Sequence, residues 1–171
     1  MEKLKIKAFP KKIMQEEAWG TVMHRINKKP DLKLELLGVE ILYYPYLHFG
    51  FSLALPRFRR TKQIKVFCCI SLVDGEEAII KEIPPWEWVE AASQQVLPVK
   101  ISSEQALNKA RTYILYPLFK KEKVFNPPLP VLDSQELCYR PLYLFSVRSS
   151  TSARFGVLVD ALTNRYQTLD F

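Results

Sequence analysis

The stretch "VEILYYPYLHF", residues 39–49, decides how this chain is read. From Leu37 to Leu55 the odd positions are apolar or aromatic, while Glu40, Tyr44, Tyr46, His48 and Ser52 lie between them. A period of two predicts a strand with one buried face. Pro45 interrupts the run on its buried side. Proline cannot donate to a sheet ladder, so its presence predicts an edge position, a bulge or a bend. The same arrangement recurs in "QELCYRPLYLF", residues 135–145. There Leu137, Tyr139, Pro141, Tyr143, Phe145 and Val147 share a face, with Glu136, Arg140, Ser146 and Arg148 on the other.

Working outward, other blocks also occur twice. "FPKKIMQEEAW" (9–19) aligns without a gap on "LPVKISSEQAL" (97–107), and "LVD" stands at 72–74 and again at 158–160. Ala18, Trp19, Val22 and Ile26 have the spacing of one helix face, as do Ala106, Leu107, Ala110 and Ile114. The second helix has a marked start: Ser102 is a good N-cap and Gln105 completes a capping box. Met14 stands at the matching place in the first copy, which predicts a less sharply defined start. Pro117 is expected to stop the second helix near residue 116. After each proline strand come a returning strand and a final strand: "IKVFCCISLVD" then "AIIKEI", and "ARFGVLVD" then "RYQTLDF".

The expected fold is therefore α+β: two related units, each a helix plus a three-stranded antiparallel sheet, arising by internal duplication. The first unit spans 1–95 and includes a linker helix near 84–95, read from "PPWEWVEAASQQVLP" (84–98). The second spans 96–171.

The order helix–strand–strand–strand, with "ISSEQALNKA" opening the second helix and "VLVDALTN" at the last hairpin, resembles the PepSY family. The resemblance implies small cystatin-like α+β modules in tandem. It also implies a non-catalytic binding or inhibitory role, and it brings no catalytic residues with it. PepSY-type modules usually carry a signal or membrane anchor, and glycine where this chain has Asn164.

Charge and composition narrow the function classes. The net charge is +7. Residues 1–85 hold 15 basic and 10 acidic side chains, against 10 and 8 in residues 86–171, so the first part is the more cationic. Such a chain tolerates anionic partners without requiring them. Cys68, Cys69 and Cys138 are odd in number and irregularly spaced, a poor disulfide framework, and read as buried thiols of a reducing compartment. The first residues contain no apolar signal core, and nothing approaches a membrane-spanning run. The expected localisation is cytoplasmic, with no membrane span.

Catalytic chemistry has no coherent candidate. The five glycines form neither a dinucleotide fingerprint nor a phosphate loop. His24 and His48 lie outside any zinc motif, so no metal site and no cofactor are expected. The matched carboxylates Glu40/Glu136 and Asp74/Asp160 could form a shared acid–base site, but turn chemistry accounts for the aspartates and solvent for the glutamates.

Two binding surfaces stand out. Arg57, Phe58, Arg59, Arg60, Lys62 and Lys65 form a basic stretch around an aromatic ring, suited to a nucleic acid or another anion. An ordinary solvated hairpin tip has the same composition. Tyr44, Tyr46 and His48, on the face opposite the buried one, and Trp86 and Trp88 would form a protein-recognition patch if exposed together. Burial under a neighbouring element is the competing reading. The leading expectation is a non-enzymatic module that binds a protein or peptide, with inhibition or regulation as its use. Nucleic-acid binding through 56–65 is the alternative, and a homo-oligomer is compatible with both.

Overall fold

The computed structural model describes residues 2–26, 33–57, 60–121, 128–151 and 153–170. In chain order these form β1 (Lys3–Ala8), α1 (Gln15–Ile26), β2 (Leu34–Arg57), β3 (Arg60–Ser71), β4 (Glu77–Ile80) and β5 (Glu87–Ala92). A short 3-10 turn (Ser93–Gln95) follows, then α2 (Ser103–Lys121), β6 (Val131–Ser149), β7 (Arg154–Asp160) and β8 (Tyr166–Asp170). The strands make a single eight-stranded sheet in the order β4-β3-β2-β6-β1-β5, with β7 beside β6 and β8 beside β7. It is mixed: β1 runs parallel to β6 through Ala8 and Tyr139, while β2–β3, β3–β4, β6–β7, β7–β8 and β1–β5 are antiparallel.

This corrects the expected α+β pair of helix-plus-three-strand units. Among the described residues no such duplicated units are evident, and one large sheet dominates. It also corrects the PepSY likeness, whose small separate modules are not found. The buried contacts of each helix are not with the strand that directly follows it, which adds only partly buried residues: Leu34, Val39 and Ile41 of β2 at α1, and Leu132 of β6 at α2. Ala18 and Val22 of α1 are buried against Tyr143, Phe145, Val147, Val157 and Val159, which belong to β6 and β7. Ala106, Ala110 and Ile114 of α2 are buried against Phe49, Phe51, Leu53, Cys68 and Ile70, from β2 and β3. The local helix and strand patterns are compatible with either partner, because periodicity specifies an apolar face and not what covers it.

Two compact units result. One contains residues 1–44, 86–97 and 139–171, and the other residues 45–85 and 98–138. In the first, a smaller cluster of Ile6, Ala8, Tyr43 and Ala91 joins β1 and β5. The stretch expected as a linker helix is a strand instead. Trp88 and Glu90 point one way and Val89 and Ala91 the other, and β1 offers six consecutive partners from Lys3↔Ala92 to Ala8↔Glu87. The ladder to β1 outweighs the acidic start that suggested a helix.

The prolines lie inside central strands, not at an edge. Each stands where the neighbouring strand changes. β6 meets β1 at Tyr139 and β7 from Leu142 onward. The Tyr139 carbonyl accepts from Phe9 N–H (3.0 Å) and the Pro141 carbonyl from Ala161 N–H (3.1 Å). A residue's N–H and C=O point to the same side of an extended strand, so the donor that Pro141 lacks falls between those two neighbours. Pro45 is placed the same way, with its carbonyl accepting from Leu72 N–H at 3.0 Å just before β3 pairing begins at Tyr46.

The helix ends follow their caps. Ser102 Oγ accepts from Gln105 N–H and Gln105 Oε1 from Ser102 N–H, a complete capping box. Pro117 does not stop α2, which continues to Lys121 with the proline inside it. The ring costs one hydrogen bond, to the Tyr113 carbonyl, and the helix absorbs that loss.

Candidate functional site

Two tight turns carry the local chemistry. In one, Gly75 N–H donates to Ser71 C=O (3.1 Å) and Ser71 N–H to Glu76 C=O (2.8 Å). Gly75 has φ of +78°, and a Cβ there would lie 2.9 Å from both Ile101 Cδ1 and Lys109 Nζ. The positive φ favours glycine, while the two close atoms are the ends of flexible side chains that can shift. In the other, Asn164 N–H donates to Asp160 C=O (2.9 Å), and Asn164 has φ of +58°. Asp160 Oδ1 accepts from Leu162 N–H and Asp74 Oδ1 from Glu76 N–H, so both aspartates serve turns. The two "LVD" triplets do not occupy matching places: the first turn opens at Ser71, the second at Asp160.

The Ser71–Glu76 turn delivers β4 beside α2. Ile70 faces Glu77 and Cys68 faces Ile79 across the β3–β4 ladder. Ile70 and Cys68 belong to the core that α2 covers, so Glu77 and Ile79 point to the helix side. Beyond the covered core, Glu77 and the α2 residues Asn108, Lys109, Thr112, Tyr113 and Tyr116 line an open groove of about 620 Å³. Tyr116 and Ile79 remain exposed, at 59% and 47%. Lys109 Nζ donates to Gly75 C=O at 2.7 Å and pairs with Glu77 Oε2 at 3.4 Å, pinning α2 to the turn. Among the described residues β4 pairs with β3 alone, so its other side is a sheet edge.

The groove was not read from the sequence. The available signal was two tyrosines three residues apart, on a helix side otherwise occupied by Asn108, Lys109 and Thr112. Such a ring pair on a polar face has no place in a simple amphipathic pattern.

The residues singled out from the sequence are dispersed. Phe58 and Arg59 lie outside the described residues. Arg57 pairs with Arg60 through its backbone at the end of the β2–β3 ladder. Arg60, Lys62 and Lys65 are exposed on β3. Tyr44 and Tyr46 are half-buried. His48 is buried, opposite Cys69, and its ring lies 6.3 Å from that of Tyr46. Trp86 and Trp88 are exposed and adjacent, with ring centroids 5.6 Å apart in an edge-to-face pair. Tyr46 and His48 belong to one compact unit, and Trp86 and Trp88 to the other.

Titration is perturbed mainly by burial. It pushes the Cys68 thiol up to about 12, with Cys69 adding to the effect. Tyr43 is raised by burial and then by Glu87 and Tyr143; Tyr143 by burial and then Glu16; and Tyr139 by burial. The three cysteines are buried and none is in a disulfide. Among the described residues no three His, Cys, Asp or Glu are grouped to hold a metal ion, and no helix is long and apolar enough to cross a membrane.

No family model, curated protein or solved structure matches the chain. The PepSY likeness thus has no support from a family comparison, in addition to being overturned by the fold.

Proposed function

We propose that this protein is a non-enzymatic binding module that takes up a protein or peptide as an extended strand along the free edge of β4. Main-chain groups of the ligand would extend the β3–β4 ladder, and alternate side chains would enter the groove beside α2. The observation that carries the reading is the juxtaposition of an unpaired sheet edge with a 620 Å³ groove bearing Tyr113 and Tyr116. Rings at a groove supply contact area at low entropic cost, and the edge supplies direction and register. The lining favours recognition over proton transfer. Its ammonium, Lys109, is engaged by Gly75 C=O and Glu77, and the remaining polar groups are the Asn108 amide, the Thr112 hydroxyl and the two tyrosine phenols. The ligand class is a short extended segment with apolar or aromatic side chains at every second position.

Peptides selected from a random display library test this. They are expected to bind at least about tenfold more weakly to Y113A/Y116A, and to protect the β4 amides from hydrogen exchange. Peptides that bind the double variant equally, or protect another strand, would refute the assignment.

A further inference from the structure

Among the described residues the two most exposed large apolar side chains are Leu129, at 87%, and Val131, at 62%. They stand two residues apart in "PLPV", residues 128–131. Pro130 between them is buried, and Leu132 beyond them packs against the core under α2. A residue that precedes proline is confined to extended backbone, so Pro130 holds Leu129 in that form, and Val131 opens β6. The segment is thus anchored and extended, with two apolar side chains at alternate positions turned to solvent. Binding it requires little further ordering. These are the features of the ligand class assigned to the groove beside β4. Segment and groove belong to the same compact unit. Within one chain, however, β3 and β2 stand between β4 and β6. Three inter-strand steps separate them by roughly 14 Å, so the segment does not fill the groove of its own chain.

We infer that segment 128–133 of a second copy of this chain occupies the groove, an inference that rests on the peptide-binding reading above. Leu129 and Val131 enter against Tyr113 and Tyr116, with the exposed Ile79 at the strand side. Charge sets the direction. Two residues beyond Val131 is Asp133, exposed and bonded by Ser52 Oγ. Two residues beyond Ile79 is Lys81, also exposed. A segment laid parallel to β4, with Val131 beside Ile79, brings Asp133 to Lys81. Laid antiparallel, it brings Asp133 to Glu77, a like charge. Reciprocal docking closes a dimer and one-way docking adds copies in a row; the contact is the same in both.

Sedimentation equilibrium of the whole chain, from micromolar to millimolar concentration, tests this. The chain is expected to self-associate. Y113A/Y116A and L129S/V131S should each weaken association about tenfold or more. An equal mixture of the two should associate more tightly than either alone, since one supplies the segment and the other the groove. K81E and D133K should each weaken association, and K81E/D133K should restore it. Far-UV circular dichroism verifies that each variant is folded. Three results would overturn the second copy as occupant: a chain that stays monomeric, L129S/V131S associating as the unmodified chain does, or a mixture that associates no better than its parts. Peptides from the display library then distinguish the two failures. If they bind and still need Tyr113 and Tyr116, peptide binding stands and only the second copy falls; if they do not, both fall.

Discussion

The two places where a helix meets the last hairpin strand share their hydrogen-bonding plan and differ in their surface. Beside α1, Asn164 stands at the left-handed position of the turn, and its Nδ2 donates to Thr21 Oγ1 at 2.7 Å. Beside α2, Gly75 stands there, and its carbonyl accepts from Lys109. Thr21 and Lys109 each sit in the second turn of their helix. One turn further, Arg25 of α1 lies 5.9 Å from the Tyr166 ring of β8, a cation over an aromatic ring that bridges helix and strand. At the corresponding point of α2 the ring is on the helix, as Tyr113, and the strand offers Glu77. A ring and a carboxylate do not attract as a ring and a guanidinium do, so this side stays open as the groove. The lesson is that similar turns, with the ring and charge placed differently, yield a junction bridged by a cation–ring contact in one unit and a groove in the other.

The largest expected effect is on the α1 side. Phe145 packs against Trp19 at 5.4 Å and Tyr143 at 6.0 Å and is fully buried. Phe145→Ala should cost about 3–5 kcal/mol in a urea melt, and Trp19 fluorescence should report the loss. A destabilisation below the usual surface range would mean that α1 is not anchored there. Next comes the turn beside the groove. Gly75→Ala should cost about 1–2 kcal/mol from its positive φ, with the ends of Ile101 and Lys109 shifting to make room. Asn164→Gly in the other turn keeps the backbone freedom and loses only the bond to Thr21, so chemical denaturation should show a smaller change.

The comparison can also be inverted. Tyr113→Arg with Glu77→Tyr copies the Arg25–Tyr166 arrangement onto the groove side. Peptide affinity should then fall at least about tenfold with stability nearly unchanged; retained binding would separate the groove from the peptide site. Arg25→Ala should lower stability by only about 0.5–1 kcal/mol, the range for an exposed cation–ring contact.

A further effect appears only in alkali. The unfolded Cys68 thiol ionises near 9.0 and the folded one near 12. Between those values the unfolded chain alone releases the proton, so stability falls as pH rises from about 9 toward 12. Tyr43, Tyr139 and Tyr143 are shifted in the same direction and contribute with the same sign. In Cys68→Ala the urea midpoint should fall less steeply over this window, the remainder belonging to the tyrosines. At neutral pH the native Cys68 should resist alkylation until urea exposes it.

Legibility differed from element to element. The buried odd positions of β2, from Tyr43 to Leu55, were plain because an alternating strand displays its face in its own residues. The Ser102–Gln105 cap was equally local. The β5 strand was misread because "PPWEWVEAASQQ" resembles a helix start, and only the β1 partner decides otherwise. The alternation put His48 opposite Leu47 and Phe49 and read that side as outer, but His48 is buried, which depends on what surrounds that part of the sheet. The exposure of Trp86 and Trp88 follows from the position of β5 at the sheet edge, which no window of sequence contains.

The sequence by itself determined the periodicities, the caps, the left-handed turn residues and the excess of positive charge, because each depends on residues a few positions apart. Tertiary structure alone decided that α1 covers β6 and β7 while α2 covers β2 and β3, that each proline falls where a strand changes neighbours, and that β4 keeps an open edge beside Tyr113 and Tyr116. The physical reason is that an apolar face is satisfied by any complementary face. The choice among them is made by chain connectivity and by packing over the whole sheet.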